Sequence, residues 1–321
     1  MKRRLYAPAV LLVGLLSAQI VATAHVYLSN LDLLQASEAI LRTGYLAVPN
    51  ARVVERLDAL TTAMAGGLLF TLSIGAGLSL AALVAVWLWD RAFRRRRKAL
   101  LAGLLVWAAG LLLVNDGGWN LVASTYLIVV PLVTALAAVQ LMPARTTLLS
   151  PTGVVWPVAA VLVLAAVWTL VLDRHLFTNV RDHLLLASPV GQSITNAYYA
   201  YTLFPAEAFK SLEQKQLRTC TLGASLDRSD WHRLERTFRA HDYLPMPAGH
   251  PTDLAVAREN DADAFVLEDH RGKVIGVPPQ ELFSRPDDVL SAYSRALDRN
   301  RMFRTLTLIC LVLGLPLVLF A

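Results

Sequence analysis

The chain has 321 residues, 55% of them hydrophobic and 17% charged, whereas an ordinary soluble domain carries about 25% charged residues. Its net charge of +6 is concentrated in short segments between apolar runs, which argues against a nucleic-acid-binding face and for a membrane topology signal. Two cysteines in different surroundings, Cys220 and Cys310, exclude a disulfide framework and cysteine-type metal spacing.

In chain order, Lys2, Arg3 and Arg4 precede the apolar stretch Tyr6–Leu28, and crossing the hydrocarbon core takes about 20 apolar residues. Ala22-Thr23-Ala24 resembles a signal-peptidase site. The apolar run is longer than an ordinary signal-peptide core, however, so residues 1–29 are read as a retained first span or signal anchor. Residues 30–59 show two helical patterns, Leu31–Leu46 and Ala51–Leu60, broken at Val48-Pro49-Asn50.

Residues 60–172 read as a membrane region of four spans: Leu60–Trp89, Ala99–Val114, Leu121–Met142 and Val154–Leu172. The first carries Ala63-x-x-x-Gly67, Ser73-x-x-x-Gly77 and Gly75-x-x-x-Ser79, a spacing that lets helix backbones approach closely. The functional alternative for that face is the lining of a pore. Between the first and second of these spans lie Arg91, Arg94, Arg95, Arg96, Arg97 and Lys98, and Arg145 follows the third. If spans alternate, these residues share the N-terminal side, which is cytoplasmic by the positive-inside rule. Residues 30–59, the turn Asn115–Asn120 and residues 173–303 then face outward, into the periplasm if the cell is bacterial.

Residues 173–217 read as a juxtamembrane interfacial segment, interrupted by Pro189 and Gly191, with Pro205 suited to the first turn of a helix. Residues 218–303 read as a small extracytoplasmic α+β domain of roughly 85 residues. Its expected elements are a strand at Thr219–Leu222, an amphipathic helix at Ser229–Arg239 with Trp231, Leu234 and Phe238 inward, and a strand within Asp253–Glu259. A hairpin, Ala264–Glu268 and Lys273–Val277, turns through Asp269–Gly272. Ser284 is expected to cap a helix opening at Pro286 and running into the last span. Residues 304–321 are that final span. It ends while still apolar at Ala321, which predicts that the natural product continues into a cytoplasmic segment. The fold class is thus an α-helical membrane bundle of about six transmembrane helices with a small extracytoplasmic α+β domain.

Two groups stand out as candidate sites. Asp116, Trp119 and Asn120 form a polar turn at the outer mouth, where Asp116 suits a cation or polar substrate. In the plainer reading Asp-Gly-Gly reverses the chain, Trp119 anchors at the interface and Asn120 caps the next helix. Tyr198, Tyr199, Tyr201, Phe204 and Phe209 form a dense aromatic group. They suit a partner or lipid contact, or interfacial anchoring beneath the soluble domain. The second to sixth predicted spans hold essentially no ionisable residue away from their ends, against the pattern of a proton-coupled pump. Six of the seven histidines fall outside, and none has zinc-site spacing. No phosphate-binding loop, dinucleotide fingerprint or nucleophile elbow occurs, so no catalytic residue, cofactor or metal is expected. The expected partners are the lipid bilayer and a protein partner or oligomer, without nucleic acid. A scaffold, assembly or receptor-like subunit leads, ahead of a transporter or channel subunit. A membrane-bound enzyme using Asp116, His175 or Asp182 comes third.

Overall fold

A computed structural model describes residues 5–44, 56–91, 93–116, 118–142, 187–193, 207–215, 217–258, 264–269, 272, 274–314 and 318. The chain divides into a helical unit, Met1–Leu28 with Ala59–Ala206 and Arg301–Ala321, and a second unit, Ser29–Asp58 with Glu207–Asn300.

Among the described residues, four helices are long and apolar enough to cross a membrane: Tyr6–Arg42, Leu60–Arg91, Arg97–Val114 and Leu121–Leu141. The first, α1 (Tyr6–Arg42), has 37 residues. The apolar stretch Tyr6–Leu28 and the helical pattern from Leu31 thus belong to one helix, since Ser29-Asn30 between them contains neither glycine nor proline. It stops at Gly44, whose φ of +85° is one that glycine adopts freely, with Thr43 and Gly44 donating to the Ile40 and Leu41 carbonyls.

The second long helix is α2 (Leu60–Phe70) and α3 (Ala76–Arg91), joined by a π-turn at Thr71–Gly75. The Ser73 hydroxyl donates to the Leu69 carbonyl, and the single Thr71 hydroxyl proton lies between the Gly67 carbonyl at 3.1 Å and Gln19 Oε1 at 2.8 Å. Such back-bonding competes with the helical ladder and accompanies its widening here. The small-residue face packs as its spacing suggests. A Cβ on Gly67 would lie 3.0 Å from the Ala22 Cβ, and one on Gly75 would lie 2.5 Å from the Ala18 Cβ.

Next come α4 (Arg97–Val114) and α5 (Leu121–Leu141), which carries Pro131 in its interior. Proline removes the donor that the Leu127 carbonyl would receive, and the Trp107 indole of α4 donates to that carbonyl at 2.8 Å instead. Tyr6, Val10, Leu11, Leu83, Val86 and Ala138 form one apolar cluster, and the Tyr6 hydroxyl donates to the Ala138 carbonyl at 2.8 Å. The start of α1 and the ends of α3 and α5 therefore share one end of this unit.

The second unit is built on a five-stranded sheet: β1 (Arg218–Leu222), β2 (Tyr243–Pro245), β3 (Leu254–Arg258), β4 (Phe265–Glu268) and β5 (Val274–Val277), in the order β2-β1-β3-β4-β5. β1 is parallel to both β2 and β3, whereas β3, β4 and β5 are successively antiparallel. Alternate residues Leu254 and Val256, Phe265 and Leu267 are buried, the period of two that a half-covered strand requires. Helix α6 (Arg228–Ala240) crosses from β1 to β2 and buries Leu234 and Phe238. Two helices follow β5, α7 (Pro279–Ser284) and α8 (Pro286–Leu297). They add Leu282, Val289, Leu290 and Tyr293 to the core around Cys220.

Two sequence expectations are corrected here. Ser284 is the last residue of α7 rather than the cap of α8, whose N-cap is Arg285. Nor does α8 run into the final apolar segment, because the chain turns at Asp298–Asn300 before α9 (Arg301–Ile309) and a π-turn at Cys310–Gly314. The Asn300 side chain donates to the Ala208 carbonyl at 3.1 Å, tying that turn back to the sheet unit.

Candidate functional site

The polar turn between α4 and α5 is held by its own side chains. Asn120 accepts from the Ala123 N–H at 3.1 Å, and its own N–H donates to Asn115 Oδ1 at 2.6 Å. The Asn115 amide reaches Ser124 Oγ at 3.0 Å. Asn120 is buried, Trp119 is 61% exposed and Asp116 is exposed. None of these hydrogen bonds of the Asn115–Asn120–Ser124 knot comes from the exposed Asp116 side chain.

Of the aromatic group, Tyr198, Tyr199, Tyr201 and Phe204 lie outside the described residues, as do His175 and Asp182. Phe209 ends a short 3-10 turn at Glu207–Phe209 and is 2% exposed. Among the described residues no three His, Cys, Asp or Glu side chains converge to hold a metal ion.

The sheet unit has a more concentrated group. After β1 the chain passes Gly223, whose N–H donates to the Val256 carbonyl at 2.7 Å. A Cβ there would lie 3.0 Å from the same oxygen, so this strand-to-helix turn suits glycine. Asp227 then caps α6, accepting from the Asp230 N–H at 2.8 Å and the Ser229 hydroxyl at 2.9 Å. These hydrogen bonds, the backbone one foremost, hold its carboxyl below the ordinary carboxylate pKa.

Arg258, the last residue of β3, reaches Asp230 at 2.9 Å and Asp227 at 3.5 Å. One turn further along α6, the Arg233 guanidinium lies 3.9 Å from the ring centroid of Phe283 on α7. Phe283 is held in turn against Phe265 at 5.7 Å, edge to face. Asp227, Asp230, Arg233, Arg258 and Phe283, together with Gln280 and Ser284, line an open groove of about 570 Å³.

The position of the groove follows from topology. β1 is succeeded by a crossover toward β2, whereas β3 is succeeded by a hairpin toward β5. The connections leaving the carboxyl ends of neighbouring β1 and β3 therefore diverge, and such switch points are where open sheets leave room for ligands.

The two arginines have different work. Arg258 is neutralised by two carboxylates. Arg233 makes no ion pair among the described residues, and lying on a ring it keeps its in-plane N–H groups available for a planar anion. Nothing in the sequence around Arg233 marks this role. The usable signal was Gly223 between a strand and a capped helix, but the parallel pairing that makes it a switch point has no local sequence mark.

Two other ionisable groups are structural. The Cys220 thiol is fully buried, and burial raises its pKa to about 12. His241 joins helix ends, with Nδ1 2.7 Å from the Thr237 carbonyl and Nε2 3.1 Å from Asp287 Oδ1.

No family model, curated protein or solved structure matches this chain.

Proposed function

We propose that the chain is a multi-pass membrane protein of about six spans that carries its sheet unit on the extracytoplasmic face. There it acts without catalysis as a scaffold, assembly or receptor-like subunit. The observation that supports this reading best is the groove at the carboxyl ends of β1 and β3, where Arg233 rests on Phe283 with its donors unpaired by any described acid. Such an arrangement suits recognition of an acidic group on a partner, because a stacked guanidinium offers two parallel donors at fixed spacing. The aromatic group from Tyr198 to Phe204 supplies a second contact in the same proposal, at the membrane interface.

A photo-crosslinking residue at Gln280 or Ser284, in the full chain and in native membranes, tests the groove. A discrete protein adduct that disappears with Arg233→Ala is the expected result. A recurrent absence of adducts, together with unchanged partner recovery for Arg233→Ala, would refute recognition through the groove.

A transporter or channel subunit is the second reading, favoured by one feature of the helical unit. The π-turns Thr71–Gly75 and Cys310–Gly314 pack against each other, and π-turns recur at functional positions in helices. Substrate or ion flux in proteoliposomes of the purified chain would favour it over the first.

A further inference from the structure

Between α3 and α4 the chain reverses within a few residues, through two consecutive left-handed positions, Arg94 (φ 47°) and Arg95 (φ 57°). The turn is pinned from inside. The Arg95 N–H donates to the Trp89 carbonyl at 2.8 Å, and the Trp89 indole donates to the Arg96 carbonyl at 3.3 Å. Its one acid, Asp90, is taken up by Arg95 at 2.7 Å. Among the described residues no acid pairs with Arg91, Arg94, Arg96, Arg97 or Lys98, and all five are exposed.

We propose that this loop binds the phosphate headgroup of an anionic phospholipid through Arg94, Arg96, Arg97 and Lys98. The inference rests on reading α3 and α4 as membrane spans, which puts the loop between them at a bilayer surface.

Three features besides charge favour a lipid. Phe93, 49% exposed, stands within the basic run, and an aromatic ring is better placed among headgroups than in bulk water. Arg95 also reaches the Met142 sulfur at 3.5 Å, so the loop lies against the end of α5 and is held at the ends of the proposed spans. Finally, Arg97 and Lys98 occupy the first turn of α4, which has no acid and no side-chain cap at Arg96. Cations there oppose the helix dipole, and a bound phosphate relieves that opposition.

Clusters of four to eight basic residues beside a span attract anionic lipid additively, whereas inorganic phosphate alone would gain nothing from Phe93.

The test uses the full chain in mild detergent, offered equal phosphatidylglycerol and phosphatidylcholine, with retained lipid counted by native mass spectrometry. Wild type should retain phosphatidylglycerol preferentially, and high salt should erode the preference. The variant R94Q/R96Q/R97Q/K98Q should lose that preference by up to roughly three orders of magnitude. The charge-conserving R94K/R96K/R97K should keep it. Equal retention by wild type and the glutamine variant overturns the proposal. If that variant does not fold, a wild-type preference that survives high salt undiminished overturns it equally. Displacement of the lipid by millimolar inorganic phosphate, or by a single-stranded oligonucleotide at lower concentration, would reassign the loop to those ligands. None of these readouts involves the sheet unit, so failure here is separable from failure of the partner reading.

Discussion

Pro131 strips one donor from the middle of α5, and the Trp107 indole replaces it on the Leu127 carbonyl. A buried carbonyl left without a donor costs about 1–3 kcal/mol, so Trp107→Phe should destabilise the helical unit by about that much. In a Pro131→Ala background the backbone itself supplies the donor, and the same substitution should cost distinctly less. A double-mutant cycle by denaturation in detergent reads the difference, and equal costs in both backgrounds would show that the indole bond contributes nothing. Asn120→Ala removes a helix cap and should cost about 1 kcal/mol. Asp227 makes a prediction about pH. Its folded pKa is lowered, so the stability it contributes is present above its unfolded pKa and is lost as pH falls through the lowered folded value. Asp227→Asn keeps a capping oxygen without the titration, and should lower neutral-pH stability slightly while flattening the acid limb of the melting curve, so that the two proteins converge at low pH. An acid limb identical to wild type would remove Asp227 from the account.

At the scale of elements, what the sequence made legible was periodicity and punctuation. The strands β1, β3, β4 and β5, the capped amphipathic α6, and the Asp269–Gly272 turn with Gly272 at φ +77° all carry local marks. What stayed hidden depends on distant partners. β2 is three residues ending in proline, recognisable only beside β1. The π-turn at Thr71–Gly75 goes with hydroxyl back-bonds and Gln19 of another helix. The groove needs Arg233 and Phe283, fifty residues apart in the chain, to stack. The small-residue spacing was legible as a packing face, and it divides the glycines into two kinds. A Cβ on Gly77 would run into the Cys310 side chain, whereas one on Gly110 would meet nothing within 4 Å. Alanine is favoured over glycine inside a helix by about 0.5–1 kcal/mol. Gly110→Ala should therefore be neutral or stabilising and Gly77→Ala destabilising, as thermal melts in detergent would show. The opposite order would contradict the packing of the second π-turn against α3.

The whole molecule combines a helical unit apolar enough for a membrane with a sheet unit that has an ordinary buried core. Truncating that core at Phe238 should cost about 3–5 kcal/mol. Proteolysis of the sheet unit would detect it, and unchanged resistance would mean that the core around Cys220 is wrongly assigned. The Cys220 thiol should likewise resist alkylation near neutral pH until the sheet unit unfolds, because it is both buried and held in the thiol form. The proposed function depends above all on which side of the membrane the sheet unit occupies, since an outward groove meets different partners from a cytoplasmic one. A reporter enzyme active only outside the cytoplasm, fused after Glu213 in one version and after Arg95 in another, measures this directly. An outward sheet unit predicts activity for the Glu213 fusion and none for the Arg95 fusion. Activity after Arg95 and silence after Glu213 would contradict it.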